Sequence, residues 1–424
     1  MDGRRDRISA HRVLTWSLVG MLTVQSRKTR AIWQDNNGSI YLGAAANSET
    51  AFPPEKIALE RLDRLSSHFL RDVPVGIAAT GMRREIHTPG STSVRADRYW
   101  GASTQRSLNA SFAATDHLPD RFHRCYGITK KAAATANGRA GRLPSWKVEA
   151  VVRAADDLIA GRLTDHFPLT VWQSGSGRET DTNVNEVLAN RAIQLLGGAI
   201  GSRVPIDPAG DVNLGQSLTG MFTTTLHIAT VLEIEETLTP SVSTLVRALD
   251  RSRVSSLAQR LRAALARIDE AEGGLHEIVS GGTNDSAGLS EPDWHGMAAS
   301  IASETGRPFI MPPGDHADPG SLDAVIAAMA AVRGLAVALL DITEPYGRGN
   351  ADRISGNRVS LEAMSMVCIH VIGLDQSVAA AGGRGNHTQR ALRPIIAMSV
   401  LNAIGTIGQS CLGIRRIIAP AHGR

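Results

Sequence analysis

Aromatic side chains make up only 4% of this 424-residue chain, although 42% of it is hydrophobic. A core with few rings has to be built from Ala, Leu, Ile and Val. That set suits helix packed on helix and argues against a β-sandwich, whose half-buried strands favour aromatic residues. Cysteine is nearly absent: Cys125, Cys368 and Cys411 lie far apart and are odd in number. They exclude a disulfide framework, show no metal-ligand spacing, and are read as small buried hydrophobes of a cytoplasmic, reducing environment. The body also lacks an excess of one charge. The whole chain carries +4, yet its first 31 residues hold seven Arg or Lys against two Asp, so the remainder is close to neutral. No stretch interleaves basic and aromatic residues, and nucleic acid is not expected as a partner. The apolar run "VLTWSLVGMLTV", Val13 to Val24, is too short to span a bilayer. Following a basic start, it reads either as part of a targeting segment or as a piece of an Arg-rich arm.

Helical periodicity is what the chain has in abundance. In "KVEAVVRAADDLIAGR", Val148, Val151, Val152, Ala155, Leu158 and Ile159 form one stripe that ends before Gly161. Leu257, Leu261, Leu265 and Ile268 repeat the pattern further on. Three later segments, Ser321 to Ile342, Val359 to Ala381 and Ala391 to Gly413, are apolar nearly all the way round. Asp323, Arg333 and Asp341 within or beside the first argue against lipid, because a charge at the bilayer midplane is costly. Helices wetted on no side need other helices around them, which points to a thick bundle completed by several subunits rather than to a membrane. Near the start, "WQDNNGSIYLG" reads as a turn between short extended pieces, and a helix is expected after Pro54.

One short stretch, "HFPLTVWQSGSGRETDTNVNEVLANRA" from His166 to Ala192, sets glycines and serines at the start of a helix. The first amides of a helix lack partners and carry the positive end of its dipole, so such a turn can cradle a carboxylate or phosphate. It can equally be an ordinary capped helix, with Asn183 and Glu186 as an approximate capping box.

Several blocks in order then resemble a known family. "RADRYWGASTQRSLNAS", "KKAAATAN", "ADDLIAGRLTDHFPLTVWQSGSG", "NVNEVLANRAIQLLGG" and "HIATVLEIEETLTP" together are similar to class II fumarase, a member of the aspartase and fumarase superfamily. The resemblance covers roughly residues 83 to 412. It implies an all-α fold whose long central helices form a bundle completed by tetramerisation. It also implies a lyase that adds water to fumarate to give malate, without cofactor or metal. The domains it suggests are an N-terminal extension at 1–82 with its basic tail at 1–31, a helical domain at 83–212, a shortened central bundle at 213–412 and a truncated tail at 413–424.

The family's site residues carry over only in part. At the Gly-Ser-Gly-Thr turn, Ser176 and Gly177 match, but Arg178 stands at the threonine position and Glu179, Thr180 and Asp181 follow. In the Ser-Gln-Ser-Ser-Asn-Asp block, here "GQSLTG", Ser217 is kept, while Leu218, Thr219 and Gly220 replace the next three residues. The second anion site, His-Pro-Asn-Asp in the family, reads Asp207 to Gly210. The Thr-His pair that handles water has no counterpart between Arg251 and Ile268, and the nearest histidine, His276, is expected to face solvent at a helix end. In the mobile signature loop, Asn357 and Glu362 fall on the family's asparagine and glutamate and Ser355 on its lysine, but the paired serines that supply the carbon base are missing. The implied partners are a C4 dicarboxylate, bound by Ser176, Gly177, Arg178, Ser217, Thr219 and Asn357, and further copies in a homotetramer or mixed tetramer. With none of the catalytic groups intact, activity is expected to be reduced or lost, or the chain to serve as a non-catalytic helical scaffold.

Overall fold

The computed structural model describes residues 70–87, 90–111, 115–251, 255–279, 291–312, 322–348, 358–383 and 391–418, together with the backbone of four short strands nearer the start. Eleven α-helices lie among the described residues, and they form the protein's mass. They are α1 (Ala102–Ala110), α2 (Asp120–Arg139), α3 (Ser145–Ile159), α4 (Arg178–Leu195), α5 (Leu218–Glu233), α6 (Thr239–Arg251), α7 (Ser255–Glu272), α8 (Glu291–Thr305), α9 (Asp323–Arg348), α10 (Arg358–Gly382) and α11 (Arg393–Ile418). The all-α expectation therefore holds, with two small antiparallel sheets added to it.

The first sheet runs β1 (Leu18–Leu22), β2 (Arg30–Gln34), β3 (Ile40–Ala44) and β4 (Glu55–Lys56), each strand paired with the next. The extended pieces expected on either side of the turn in "WQDNNGSIYLG" are β2 and β3. The helix expected after Pro54 is corrected at its start, since Glu55 and Lys56 pair with Leu42 and Tyr41 instead. Leu18–Leu22, within the apolar run Val13 to Val24, is strand β1. At Glu55 and Lys56 strand pairing overrides a local propensity that is only a weak prior. The second sheet is the hairpin β5 (Met82–His87) and β6 (Gly90–Arg95).

The helices stack as the apolar stripes require. α2 packs on α3, α5 and α8, and α4 lies between α3 and α5. The α3 stripe is buried at Val151, Ala155 and Leu158, with Ala150 and Ala154 beside them. Helices α9, α10 and α11 pack in sequence, while α7 lies on α9 and α6 on α11. By length and composition, Asp323–Asp341, Val359–Gly382 and Arg393–Arg415 could each cross a membrane. Charges on or beside them pair within the chain: Arg333 lies 3.3 Å from Asp375 on α10, and Asp341 pairs with Arg260 of α7.

Between α5 and α6 the helix does not stop but widens into a π turn at Ile234–Leu238. Pro240 follows, and without an N–H it cannot close the ordinary helical bond to residue 236, so a local change of winding is the expected accommodation. Only residues 252–254 separate α6 from α7.

Candidate active site

The glycine-serine turn and the start of α4 are built for close approach. Gly177 has φ of 76°, in the left-handed region, and a Cβ there would sit 2.3 Å from the Phe222 ring. A Cβ on Gly175 would overlap the Ala391 carbonyl at 1.5 Å, and the Arg393 amide donates to the Gly175 carbonyl at 3.0 Å. Both glycines are thus required by packing, whatever the turn binds. Ser174 bonds Glu179, and the Ser176 hydroxyl accepts from the Arg178 amide at 3.3 Å.

The proposed capping box is not formed. Asn183 donates to the His166 carbonyl at 3.2 Å, and Glu186 reaches to a different helix altogether. Its carboxylate accepts from the amides of Gly101, Ser103 and Thr104 at 2.8, 2.8 and 3.1 Å, and from the Thr104 hydroxyl at 2.7 Å. The Glu85 carboxylate takes the Ala102 amide at 2.8 Å. The orphan donors at the start of α1 are therefore satisfied by two buried carboxylates from β5 and α4, where the helix dipole also favours negative charge.

Beside them opens a cavity of about 200 Å³. Arg178, Thr182, Asn185, Arg203, Asn213 and Leu218 are among its lining residues, as are Glu85 and Glu186. Arg203 is held by Asp207, its Nε 2.8 Å from a carboxylate oxygen. Arg178 is exposed, and its guanidinium has no hydrogen bond or ion pair among the described residues. Since both carboxylates are already spent on amides, Arg178 is the group on this wall open to an anion.

Behind the wall lies a polar cluster that sequence reasoning missed. The Lys130 ammonium and the Asp181 carboxylate are 2.9 Å apart, both side chains fully buried. Lys130 also donates to Asn213 at 2.9 Å and Gln216 at 3.0 Å. Burial lowers the Lys130 pKa although Asp181 opposes the shift, and burial raises the Tyr126 hydroxyl well above its usual value. The signal was available in "KKAAATAN": Lys130 shares the face of Ala133, Ala134 and Asn137, all of them buried. A lysine on an alanine stripe needs a buried acid, and Asp181 was visible only as a departure from the family.

The other expected residues have different employment. Ser217 caps α5, accepting from the Gly220 amide at 3.3 Å, and its hydroxyl lies 3.1 Å from that of Thr219. Neither lines the cavity, and nor does Ser176. Glu362 is exposed on α10. Ser355 and Asn357 lie outside the described residues.

His276 is corrected. It is half-buried against Phe309, their ring centroids 5.4 Å apart, because the chain turns inward after α7 instead of ending at the surface. Three further histidines are structural. His166 accepts the Tyr99 amide, His227 lies 2.9 Å from the Glu277 carbonyl, and His123 stacks on Phe167. Burial holds His123 down to about 3 and His166 and His227 to about 4.

The class comes from comparison rather than from the wall itself: a family model described as a lyase matches residues 90–255. The chain is 40% identical over 391 residues to the class II fumarate hydratase of Methanosarcina acetivorans, 81% of each chain being covered. It is 37% identical over 377 residues to that of Thermus aquaticus, covering 77% of this chain and 81% of the other. Among solved structures it superposes on a fumarate lyase:delta crystallin from Brucella melitensis at 25% identity and a TM-score of 0.70, covering 79% of this chain and 87% of that one. The class II fumarase of Schistosoma mansoni shares the fold, with a TM-score of 0.73 at 23% identity, over 79% of this chain and 83% of that one. The chain belongs to the class II fumarate hydratase family.

Proposed function

We propose that this chain is a fumarase-family subunit that holds a C4 dicarboxylate against Arg178 while its own hydration of fumarate to malate is reduced or lost. The observation that carries the reading is Arg178 itself, a guanidinium on the wall of a cavity, without a partner among the described residues. Two carboxylate oxygens match its planar fork. The reaction needs more than binding. Removing a proton beside a carboxylate requires a base and donors aimed at the charge that develops, and each such donor is worth on the order of a hundredfold in rate. No histidine, lysine or cysteine lines this cavity among the described residues, and three connecting residues stand between α6 and α7 where the family's Thr-His loop would fall.

A second reading, a non-catalytic scaffold in homotetramers or mixed tetramers, is favoured by the bare apolar face of α10. There Val359, Met366 and Ile369 are 73%, 66% and 61% exposed. Self-assembly would cover such a face and is preferred over lipid because the charges of α9 pair within the protein. Three buried free cysteines support a cytoplasmic setting. Any residual turnover would be the hydration step of the tricarboxylic acid cycle.

The test follows the loss of fumarate's conjugated double bond by absorbance, with an intact class II fumarate hydratase alongside. Turnover at least about a hundredfold lower is expected, and an ordinary rate overturns the proposal. Calorimetric titration with fumarate is expected to give a binding signal that Arg178→Ala abolishes. No binding by the unaltered chain leaves the scaffold reading in its place.

A further inference from the structure

Helix α7 ends at Glu272 and passes into a single 3-10 turn, Gly273–His276. Glu272 and His276 are four residues apart, so their side chains lie on one side of the chain. That side meets Glu235, carried by the π turn between α5 and α6. One ligand atom from each of the three lies within 4.8 Å of the others. A π turn inside a long helix re-aims side chains and often marks a functional site.

The neighbours do not account for these groups. Glu272 is 6% exposed and accepts no hydrogen bond among the described residues. His276 Nε2 lies 3.9 Å from its carboxylate, beyond hydrogen-bond reach. That Nε2 is itself enclosed and, among the described residues, makes no hydrogen bond, so the ring edge nearest the Glu272 carboxylate is unsatisfied. Phe309 packs on the same ring, and Arg307 pairs with one oxygen of Glu235, which leaves that carboxylate its other oxygen.

An ordinary Glu-His ion pair is the competing explanation. Burial works against it, pushing the Glu272 carboxyl up to about 7 and holding His276 below the usual histidine value. The buried Glu272 and the half-buried His276 are both drawn towards their neutral forms and, at 3.9 Å, do not bond one another.

We propose that Glu235, Glu272 and His276 bind a divalent first-row transition cation, Zn2+ in particular, through one imidazole nitrogen and two carboxylate oxygens. This donor set suits zinc and leaves room for water as a further ligand. The three residues lie on different elements from the Arg178 wall, so the site stands apart from the proposed dicarboxylate pocket. A cation there ties the α5–α6 junction to the end of α7, and by mass action it stabilises the folded chain.

The test uses the full chain stripped with EDTA and titrated with ZnCl2 by calorimetry, with thermal melts alongside. One saturable equivalent of micromolar affinity or tighter is expected, with a higher Tm. Glu272→Gln and His276→Gln should each weaken binding at least tenfold and erase the Tm rise. Absence of saturable binding to the unaltered chain, or unchanged binding in both variants, overturns the proposal. X-ray absorption of the zinc-loaded unaltered chain gives an answer that does not depend on how the variants fold. A single imidazole within an oxygen shell supports the site, and sulfur or a second imidazole overturns it.

Discussion

Two regions of this molecule treat their polar and apolar groups differently. Around the cavity, the buried charged groups find partners within one chain: Glu186 serves three amides and a hydroxyl of α1, Lys130 meets Asp181, and Arg393 is buried with its Nε 3.3 Å from the Thr223 hydroxyl. Along α10 the opposite holds, with Val359, Met366 and Ile369 standing in solvent on a helix that otherwise packs against α9 and α11. A contiguous exposed apolar stripe is the kind of surface that marks an interaction site. The frame of the site is held by contacts within the single chain, while the outer face of the bundle is the surface on which the proposed assembly would act.

The largest way to break the first region is to remove one partner of its buried ion pair. Lys130→Met leaves Asp181 buried and uncompensated, with an expected loss of about 3–5 kcal/mol in a urea unfolding titration. Adding Asp181→Asn should recover much of it, because a missing pair costs less than half of one. Equal stability of the single variant and the unaltered chain would show that the pair is solvated.

Acid probes the same region. His123, His166 and His227 are held neutral by burial, with folded values of about 3, 4 and 4. An unfolded histidine takes up its proton near pH 6.5, so between pH 6.5 and about 4 the unfolded chain binds protons that the folded chain does not, and stability falls as pH falls. Each contributes up to about 2 kcal/mol at pH 5. Glu272, raised to about 7, acts in the opposite sense from pH 7 down to its ordinary value and offsets about one of them. The expected net loss is on the order of 3 kcal/mol at pH 5 relative to pH 7, read from urea unfolding at the two values. A flat profile would mean that these histidines are hydrated.

Glu186→Gln is a milder cut. An amide offers one oxygen where the carboxylate offers two, and turns an NH2 towards amide donors. A loss of about 1–3 kcal/mol is expected in the same titration. Fumarate binding is also expected to weaken, since α1 borders the cavity. Unchanged stability would show that water replaces the carboxylate.

How far these regions could be read from sequence follows the physics of each. Helical stripes such as Val151, Ala155 and Leu158 were plain, because a 3.6-residue period survives any choice of apolar residue. The turn at Gly177 was plain for a different reason, a helix start beside glycine and serine. Its partners were not, since Phe222 against Gly177 and Ala391 against Gly175 are contacts between segments far apart in the chain. Glu186 was misread for the same cause: its local spacing fits a capping box, but the amides it serves lie more than eighty residues earlier. From sequence His276 reads as exposed, because nothing nearby in the chain announces Phe309 or Glu235. Local pattern gives elements and caps, whereas a site made of distant groups has to be seen folded.

The smallest effect on the single chain should come from the exposed apolar face, and there it is the most telling. Met366 and Ile369 lie on one side of α10, exposed at 66% and 61%. Changing both to Lys removes no buried contact within the chain, so protomer stability should move by no more than about 0.5 kcal/mol per substitution. If further copies cover this face, the charges would be buried without partners on every subunit, a penalty repeated at each contact. Sedimentation velocity should then show the unaltered chain as an oligomer and the double variant as a monomer with an unchanged circular dichroism spectrum. An unaltered chain that already sediments as a monomer, or a double variant that still assembles, would put the closing surface elsewhere and end the contrast between the two regions.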